Sequence, residues 1–270
     1  MESVSGPAAS HQDPAQVERP VLICLLGSFR LCSAGRAVQA RGGGKTEALL
    51  SCLALGPISG IARAALLDAV WPGSEPVLAG QSLNSLLYSL HKLVGDALGG
   101  APPVLRRDSW YRLNREAGVS TDVEQFHALA DAGESRGHEG DTPGAMAAYR
   151  RALDLYRGDL CVSTDLSSVM ERERLRARYL TLLARLADYY YAAGDYVAGL
   201  DHALRLLATD PCREDAHRLV MRCYLRQGQR AQALRQYRLC EQVLRVEFDA
   251  PPEPATRALF EQVRLDPGSV

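Results

Sequence analysis

The residues best suited to chemistry lie at 41–50, RGGGKTEALL. Three glycines, Lys45 and Thr46 run into an apolar helical pattern. Such a run can cradle a nucleotide: glycine amides take the phosphate oxygens, the lysine neutralises charge and the hydroxyl holds magnesium. The strict pattern also needs a glycine five residues before Gly44, and that position is Gln39. No strand with a carboxylate for magnesium follows. The spacing fails, so the stretch reads as a flexible turn after a strand, with Thr46 capping or opening a helix over 47–55. His11, His91, His127, His138, His202 and His217 show no metal-ligand spacing, and neither a Ser-His-Asp nor a paired-carboxylate arrangement can be inferred. The seven cysteines are scattered without a Cys-x-x-Cys pair, as small core hydrophobes in a reducing compartment would be. These readings predict no catalytic residue, no metal and no cofactor.

A second set of polar residues suggests recognition instead of catalysis. Over 77–100 the residues Leu83, Leu86, Leu87, Leu90 and Val94 share one helical face at ~100° per residue. The opposite face carries Gln81, Ser85, Tyr88 and Lys92, flanked by Ser82, Asn84, Ser89 and His91. These are hydrogen-bonding side chains of a length suited to the floor of a DNA major groove and its phosphates. On periodicity alone, an ordinary solvated helix face is the better account.

The elements that would position this helix decide between the two. Residues 20–40 read as a strand hairpin turning at Ser33-Ala34-Gly35. Helices follow in "TEALLSCLAL" and "ARAALLDAVW", stopped by Gly56-Pro57 and Pro72-Gly73, and then comes the third helix, closed by Gly99-Gly100. "PVLRRDSWYRLN" is a second hairpin with Arg106-Arg107-Asp108-Ser109 at its bend. Hairpin, three helices and basic hairpin fit a winged helix-turn-helix. Net charge is −1, but residues 19–119 hold 11 basic against 6 acidic side chains, whereas residues 120–270 hold 20 against 23. The first part is the one that could face a polyanion.

From about Thr121 the chain becomes rich in Ala, Leu, Arg and Tyr at helical spacing. "LADYYYAAGDYVAGLDHALRLLATDP" and "LVMRCYLRQGQRAQALRQYRLCEQVL" align with Gly194 on Gly228, an offset of 34. Tyr190 then matches Tyr224 and Leu200 matches Leu234. That period, with a glycine between two helices, is tetratricopeptide-like. An earlier copy turns at Gly140, a long charged helix carrying "ERERLRAR" lies between, and "PPEPATRALFEQVRL" closes the array. The acids of the charged helix offset its bases, so it reads as a solvated face with local Glu–Arg pairs. The fold class is mainly α with small antiparallel β elements: a winged helix over 19–119, then a helical-repeat domain over 120–265. Tails are expected at 1–18, small, polar and disordered, and at 266–270. No apolar run reaches the ~20 residues of a membrane span, and the N-terminus has no secretory signal, so a cytoplasmic location without membrane is expected.

The order and spacing of "LLGSFRL", "LLDAVWPGSEP", "SLNSLLYSLHKLVG", "WYRL", "TDVEQF", "AAYRRALDLYRGDL", "ERERLRARY" and "PPEPATRALF" resemble the Streptomyces antibiotic regulatory protein (SARP) family. In that family an OmpR/PhoB-type winged helix precedes a bacterial transcriptional activator domain, and the resemblance covers about residues 20–265. It implies an activator of a secondary-metabolite gene cluster that binds direct repeats in promoter DNA. It also implies recruitment of RNA polymerase holoenzyme through its sigma and alpha subunits, and a homodimer on DNA at the nucleoid. The third helix would read bases, while Lys45 and the wing residues Arg106, Arg107 and Arg112 would hold phosphates or reach the minor groove. There is one departure. The family's recognition helix usually ends in a pattern like Ser-Arg-Leu-Arg-Arg, where this chain has Tyr88, Ser89, Leu90, His91 and Lys92, with no arginine in the helix. Fewer charge-assisted contacts follow, which keeps a second reading open: a protein-interaction adaptor whose winged helix binds DNA weakly or not at all.

Overall fold

The computed structural model describes residues 20–161 and 166–265, so the expected tails at 1–18 and 266–270 lie outside the described residues. The chain divides into two compact units, one of residues up to Asp131 with Leu155–Ser168, the other of Ala132–Asp154 with the residues from Val169 onward. A cut at 119/120 does not coincide with this division.

The first unit opens with strands β1 (Val21–Cys24), β2 (Arg30–Ser33) and β3 (Arg36–Val38), followed by helix α1 (Gly44–Leu55). Then come β4 (Ile61–Ala62), α2 (Arg63–Val70) and α3 (Pro76–Val94), and after them β5 (Val104–Arg107), β6 (Trp110–Leu113), β7 (Val119–Thr121) and the start of α4 (Asp122–His138). The expected first hairpin is β2–β3, turning at Ala34-Gly35 with both φ positive, at 46° and 75°. It belongs to a larger sheet of order β3-β2-β1-β7, in which β1 pairs antiparallel with β2 and parallel with β7. The second hairpin pairs β5 with β6, and β4 adds a third strand. Its turn is only Asp108-Ser109, at φ 47° and 68°, the left-handed pair that a two-residue hairpin needs. Arg106 and Arg107 therefore end β5 instead of forming the bend.

Helix α3 stops at Val94, short of the expected Gly99. The Gly95 amide closes on the His91 carbonyl at 2.8 Å, a single 3-10 turn covers Asp96–Leu98, and Gly99 and Gly100 turn left-handed. Leu49, Leu53, Leu66 and Leu83 of the helices and Tyr111 and Leu113 of the hairpin are fully buried. At the other end, Asp122 is buried and accepts the Leu25 amide at 2.8 Å and the Leu26 amide at 3.0 Å, joining the end of β1 to α4. Thr121 caps α4: its hydroxyl takes the Glu124 amide at 3.0 Å, and Glu124 takes the Thr121 amide at 3.3 Å. Burial outweighs these bonds in setting the Asp122 carboxyl, whose pKa lies above the usual carboxylate value.

The second unit is helical: the end of α4, α5 (Thr142–Leu155), α6 (Leu166–Ala192), α7 (Tyr196–Thr209), α8 (Glu214–Arg226), α9 (Arg230–Phe248) and α10 (Pro254–Leu265). The expected repeat is present. Gly140, Gly194 and Gly228 stand between paired helices at φ 85°, 80° and 73°, a left-handed setting that any side chain would strain. Ala187, Ala203, Val220 and Cys223 form one buried cluster and Met221, Ala233, Tyr237 and Leu259 the next, with Tyr224 packed against both. The arginines of α6 reach further than local pairing: Arg178 meets Glu134 of α4 at 3.7 Å and Arg176 donates to the Thr209 carbonyl at 2.6 Å.

Candidate nucleic-acid interface

The glycine-rich run begins a helix and does not cradle an anion. Gly43 is the N-cap of α1, so the helix opens at Gly44 and Thr46 lies inside its first turn. The amides that would face a phosphate are occupied: Lys45 bonds the Gly42 carbonyl at 3.1 Å, and Thr46 and Glu47 bond the Gly43 carbonyl at 3.1 and 3.3 Å. The buried Thr46 hydroxyl donates to the Arg41 carbonyl at 2.6 Å. Lys45 Nζ donates to the Val70 carbonyl at 2.7 Å, satisfying an orphan acceptor at the end of α2. Among the described residues no group of three or more His, Cys, Asp or Glu side chains could hold a metal.

Helix α3 presents the face that its periodicity implies. Ala79, Leu83, Leu90 and Val94 are buried, Leu86 and Leu87 of the expected apolar face are only half-buried, and Gln81, Ser82, Asn84, Ser85, Tyr88 and Lys92 are exposed. Lys92 Nζ lies 5.1 Å from the centroid of the Tyr88 ring, a cation–π pair one turn apart. Ser85 donates to the Gln81 carbonyl at 3.1 Å within the helix. Ser89 and His91 are half-buried at the edges, and His91 packs beside Gly95 with its Nδ1 buried and unbonded. At the N-terminal end Val77 and Leu78 are exposed, an apolar addition to the polar face. One open groove joins this face to the start of α1, lined by Arg41, Lys45, Leu78, Gln81, Ser85 and Ser89.

The wing divides its arginines between two faces. Leu105 pairs with Arg112 and Arg107 with Trp110 across the outer face. On the inner face Arg106 stands opposite the fully buried Tyr111, its guanidinium carbon 6.0 Å from the ring centroid. Arg107 reaches into solvent, with the exposed Asp108 carboxylate 3.9 Å away. Arg112 is bound to Glu116 at 3.1 Å. Of the four cations expected to hold phosphates, Arg107 is the most open to solvent, its contact being the loose, exposed pair with Asp108, while Lys45, Arg106 and Arg112 are engaged more closely. Two further cations border the site without any motif to mark them: Arg41 at the groove, and Arg63, the first residue of α2.

The described residues thus form a winged helix with an exposed polar helix and a hairpin, followed in the same chain by tetratricopeptide-like helix pairs. Residues 121–264 match the family model of the bacterial transcriptional activator domain. The regulatory protein AfsR of Streptomyces coelicolor is 28% identical over 246 residues, which cover 90% of this chain but 24% of AfsR. The regulatory protein DnrI of Streptomyces peucetius is 28% identical over 83% of this chain and 85% of its own length. The solved structure of Mycobacterium tuberculosis EmbR in complex with a low-affinity phosphopeptide superposes with a TM-score of 0.71 at 24% identity, over 92% of this chain and 65% of that one. This chain thus spans about a quarter of AfsR and about two thirds of the EmbR chain. It belongs to the bacterial transcriptional activator domain family, and the relatives that it resembles are named as regulatory proteins. Among the described residues no helix is long and apolar enough to cross a membrane.

Proposed function

We propose that this chain is a transcriptional activator that reads double-stranded promoter DNA through α3, binds direct repeats as a homodimer, and recruits RNA polymerase holoenzyme through its sigma and alpha subunits to switch on a secondary-metabolite gene cluster. The observation that carries the reading is the exposed row Gln81, Ser85, Tyr88 and Lys92 on a helix that buries Leu83, Leu90 and Val94, together with the solvent-exposed wing cation Arg107. Gln81, Asn84 and Ser85 offer donors and acceptors to base edges. Leu78 offers an apolar contact to a thymine methyl. Lys92, Arg41 and Arg107 supply the cations that fix register on the phosphates. The helix pairs of the second unit stack through successive apolar clusters and leave outer faces, which carry exposed Val197, Val246 and Phe248 among polar residues, for protein partners. This division of labour predicts that activation needs both units.

DNase footprinting of the full chain on the promoters flanking its own gene, followed by in vitro transcription with holoenzyme, tests the reading. Protection of directly repeated half-sites with increased transcript is the expected result. A specific observation favours a second reading, the adaptor: α3 has no arginine, and Lys45, Arg106 and Arg112 are partly engaged by the protein itself. Absence of any shift with the same promoters at low salt would establish the adaptor instead.

A further inference from the structure

The geometry assigns to Arg63 the phosphate contact that α3 cannot make for itself: its guanidinium is lent to the recognition helix, seated in the gap left by Gly80. The assignment rests on the DNA-binding reading above. Arg63 is the first residue of α2, and its side chain crosses to α3. A Cβ built on Gly80 would lie 3.2 Å from Arg63 Cζ and would overlap Nη2. The guanidinium therefore occupies the place where residue 80 of α3 would carry its own side chain. A glycine in the middle of a 19-residue helix is an unfavourable choice on conformational grounds. Here the missing side chain makes room for a cation from another helix.

The seat lies at the border between the buried face of α3 and its exposed one, and Gly80 itself is buried. Asn84 lies one turn along α3 from Gly80 and borders the exposed polar face, while Val77 lies one turn before it and is exposed. On the other side, the Arg63 amide donates to the carbonyl of Ser109, at the wing turn, at 2.7 Å. Arg63 thus sits in the angle between α3 and the wing, in an open depression that it shares with Asp68, Trp71, Pro76, Ser109 and Trp110. A backbone that leaves the groove of α3 for the wing passes this angle. Among the described residues the Arg63 side chain makes no hydrogen bond and no ion pair, although Asp68 lines the same depression. Its five N–H donors are held in position by contact alone, and a planar fork of donors is the geometry that meets two phosphate oxygens at once. A phosphate is the better acceptor than a base edge here, because the side chain comes from outside the polar row and beside the wing.

The experiment measures binding of the full chain to a promoter duplex and to a scrambled duplex by fluorescence anisotropy across salt, with thermal melting alongside. Arg63→Ala is expected to weaken both duplexes by the same factor and to make the salt slope shallower by about one unit, the signature of one lost phosphate contact. Gly80→Ala should reproduce that loss by pushing the guanidinium out of its seat, at an unchanged or higher melting temperature because alanine suits a helix better. The double variant should bind no more weakly than Arg63→Ala, since both changes remove the same contact. If Arg63→Ala lowers melting, Arg63→Gln, which keeps the stem without the charge, takes its place. Wild-type affinity and slope in the Arg63 variant, wild-type affinity in Gly80→Ala, or losses that multiply in the double variant would each overturn the assignment alone. A wild-type chain that binds neither duplex at low salt would overturn the DNA-binding reading, and the assignment with it.

Discussion

Arg106 and Arg107 are neighbours in sequence with similar side chains, yet the structure expects opposite consequences when each is removed. The Arg107 side chain is 94% exposed, and its neighbour is the equally exposed Asp108 carboxylate at 3.9 Å. An exposed pair at that distance contributes next to nothing to folding. Arg107→Ala should therefore leave the melting temperature alone. On DNA it should cost one phosphate contact, or about 0.9 in the salt slope. Between about 50 and 200 mM salt the wild type should then lose roughly 3.5-fold more affinity than the variant, since a fourfold rise in salt acts through that exponent. Arg106 points to the other face, over Tyr111, which is 0% exposed. Arg106→Ala removes a cation–π contact of about 0.5–1 kcal/mol and uncovers the ring, so melting should fall while the salt slope changes less. Anisotropy titrations at several salt concentrations and a calorimetric melt on each variant separate the two. An unchanged slope for Arg107→Ala would show that the wing does not touch the backbone. An unchanged melt for Arg106→Ala would show that the ring seat contributes nothing.

Three further outcomes are expected. Replacing Gln81 and Ser85 together with alanine should shift base preference by about 1–3 kcal/mol at the affected pairs while sparing binding to random duplex, measured by selection from a randomised pool; an unaltered preference points to another reading element. Tyr224→Ala should destabilise the second unit by about 3 kcal/mol, because the ring packs against two successive core clusters, and a melt that keeps its midpoint contradicts that packing. His217 is buried, donates from Nε2 to the Pro211 carbonyl at 2.9 Å and accepts from Gln236 at 2.7 Å on Nδ1, and burial holds its pKa below 6.5. The unfolded chain binds a proton there that the folded chain refuses, so stability should fall as pH drops below about 6.5 and the fall should lessen in His217→Gln.

The helices were legible because their signals are local. Apolar residues recur every three or four positions, and Gly140, Gly194 and Gly228 mark the turns of the repeat. The four-stranded sheet was not legible. Strand β1 has four residues and β7 three, too short for periodicity, and the partners Val21 and Val119 lie 98 positions apart. The Leu26–Leu160 bridge and the Gly27 amide on the Asp159 carbonyl at 2.9 Å tie a still more distant segment to the same unit. Composition changes near Thr121, but folding does not respect that change: Asp122 and Phe126, on the helical side of it, are buried in the unit of β1.

The site divides in the same way. The exposed polar face of α3 followed from its own sequence, since a leucine stripe fixes where the opposite side points. Its cations did not, because a cation's availability depends on what lies next to it in space. Lys45 stands in the most motif-like stretch of the chain, yet its amine satisfies a carbonyl at the end of α2. Arg106 and Arg107 look equivalent in sequence and are separated by the alternation of a strand into a ring-bound and a solvent-exposed cation. Arg63 carries no motif at all, and its position has meaning only through the missing side chain of Gly80, 17 residues later. A recognition helix without arginine therefore does not imply an interface without one. The charge that binds the DNA backbone can be supplied by elements packed around the helix, leaving the helix itself to hydrogen-bonding residues that discriminate between bases.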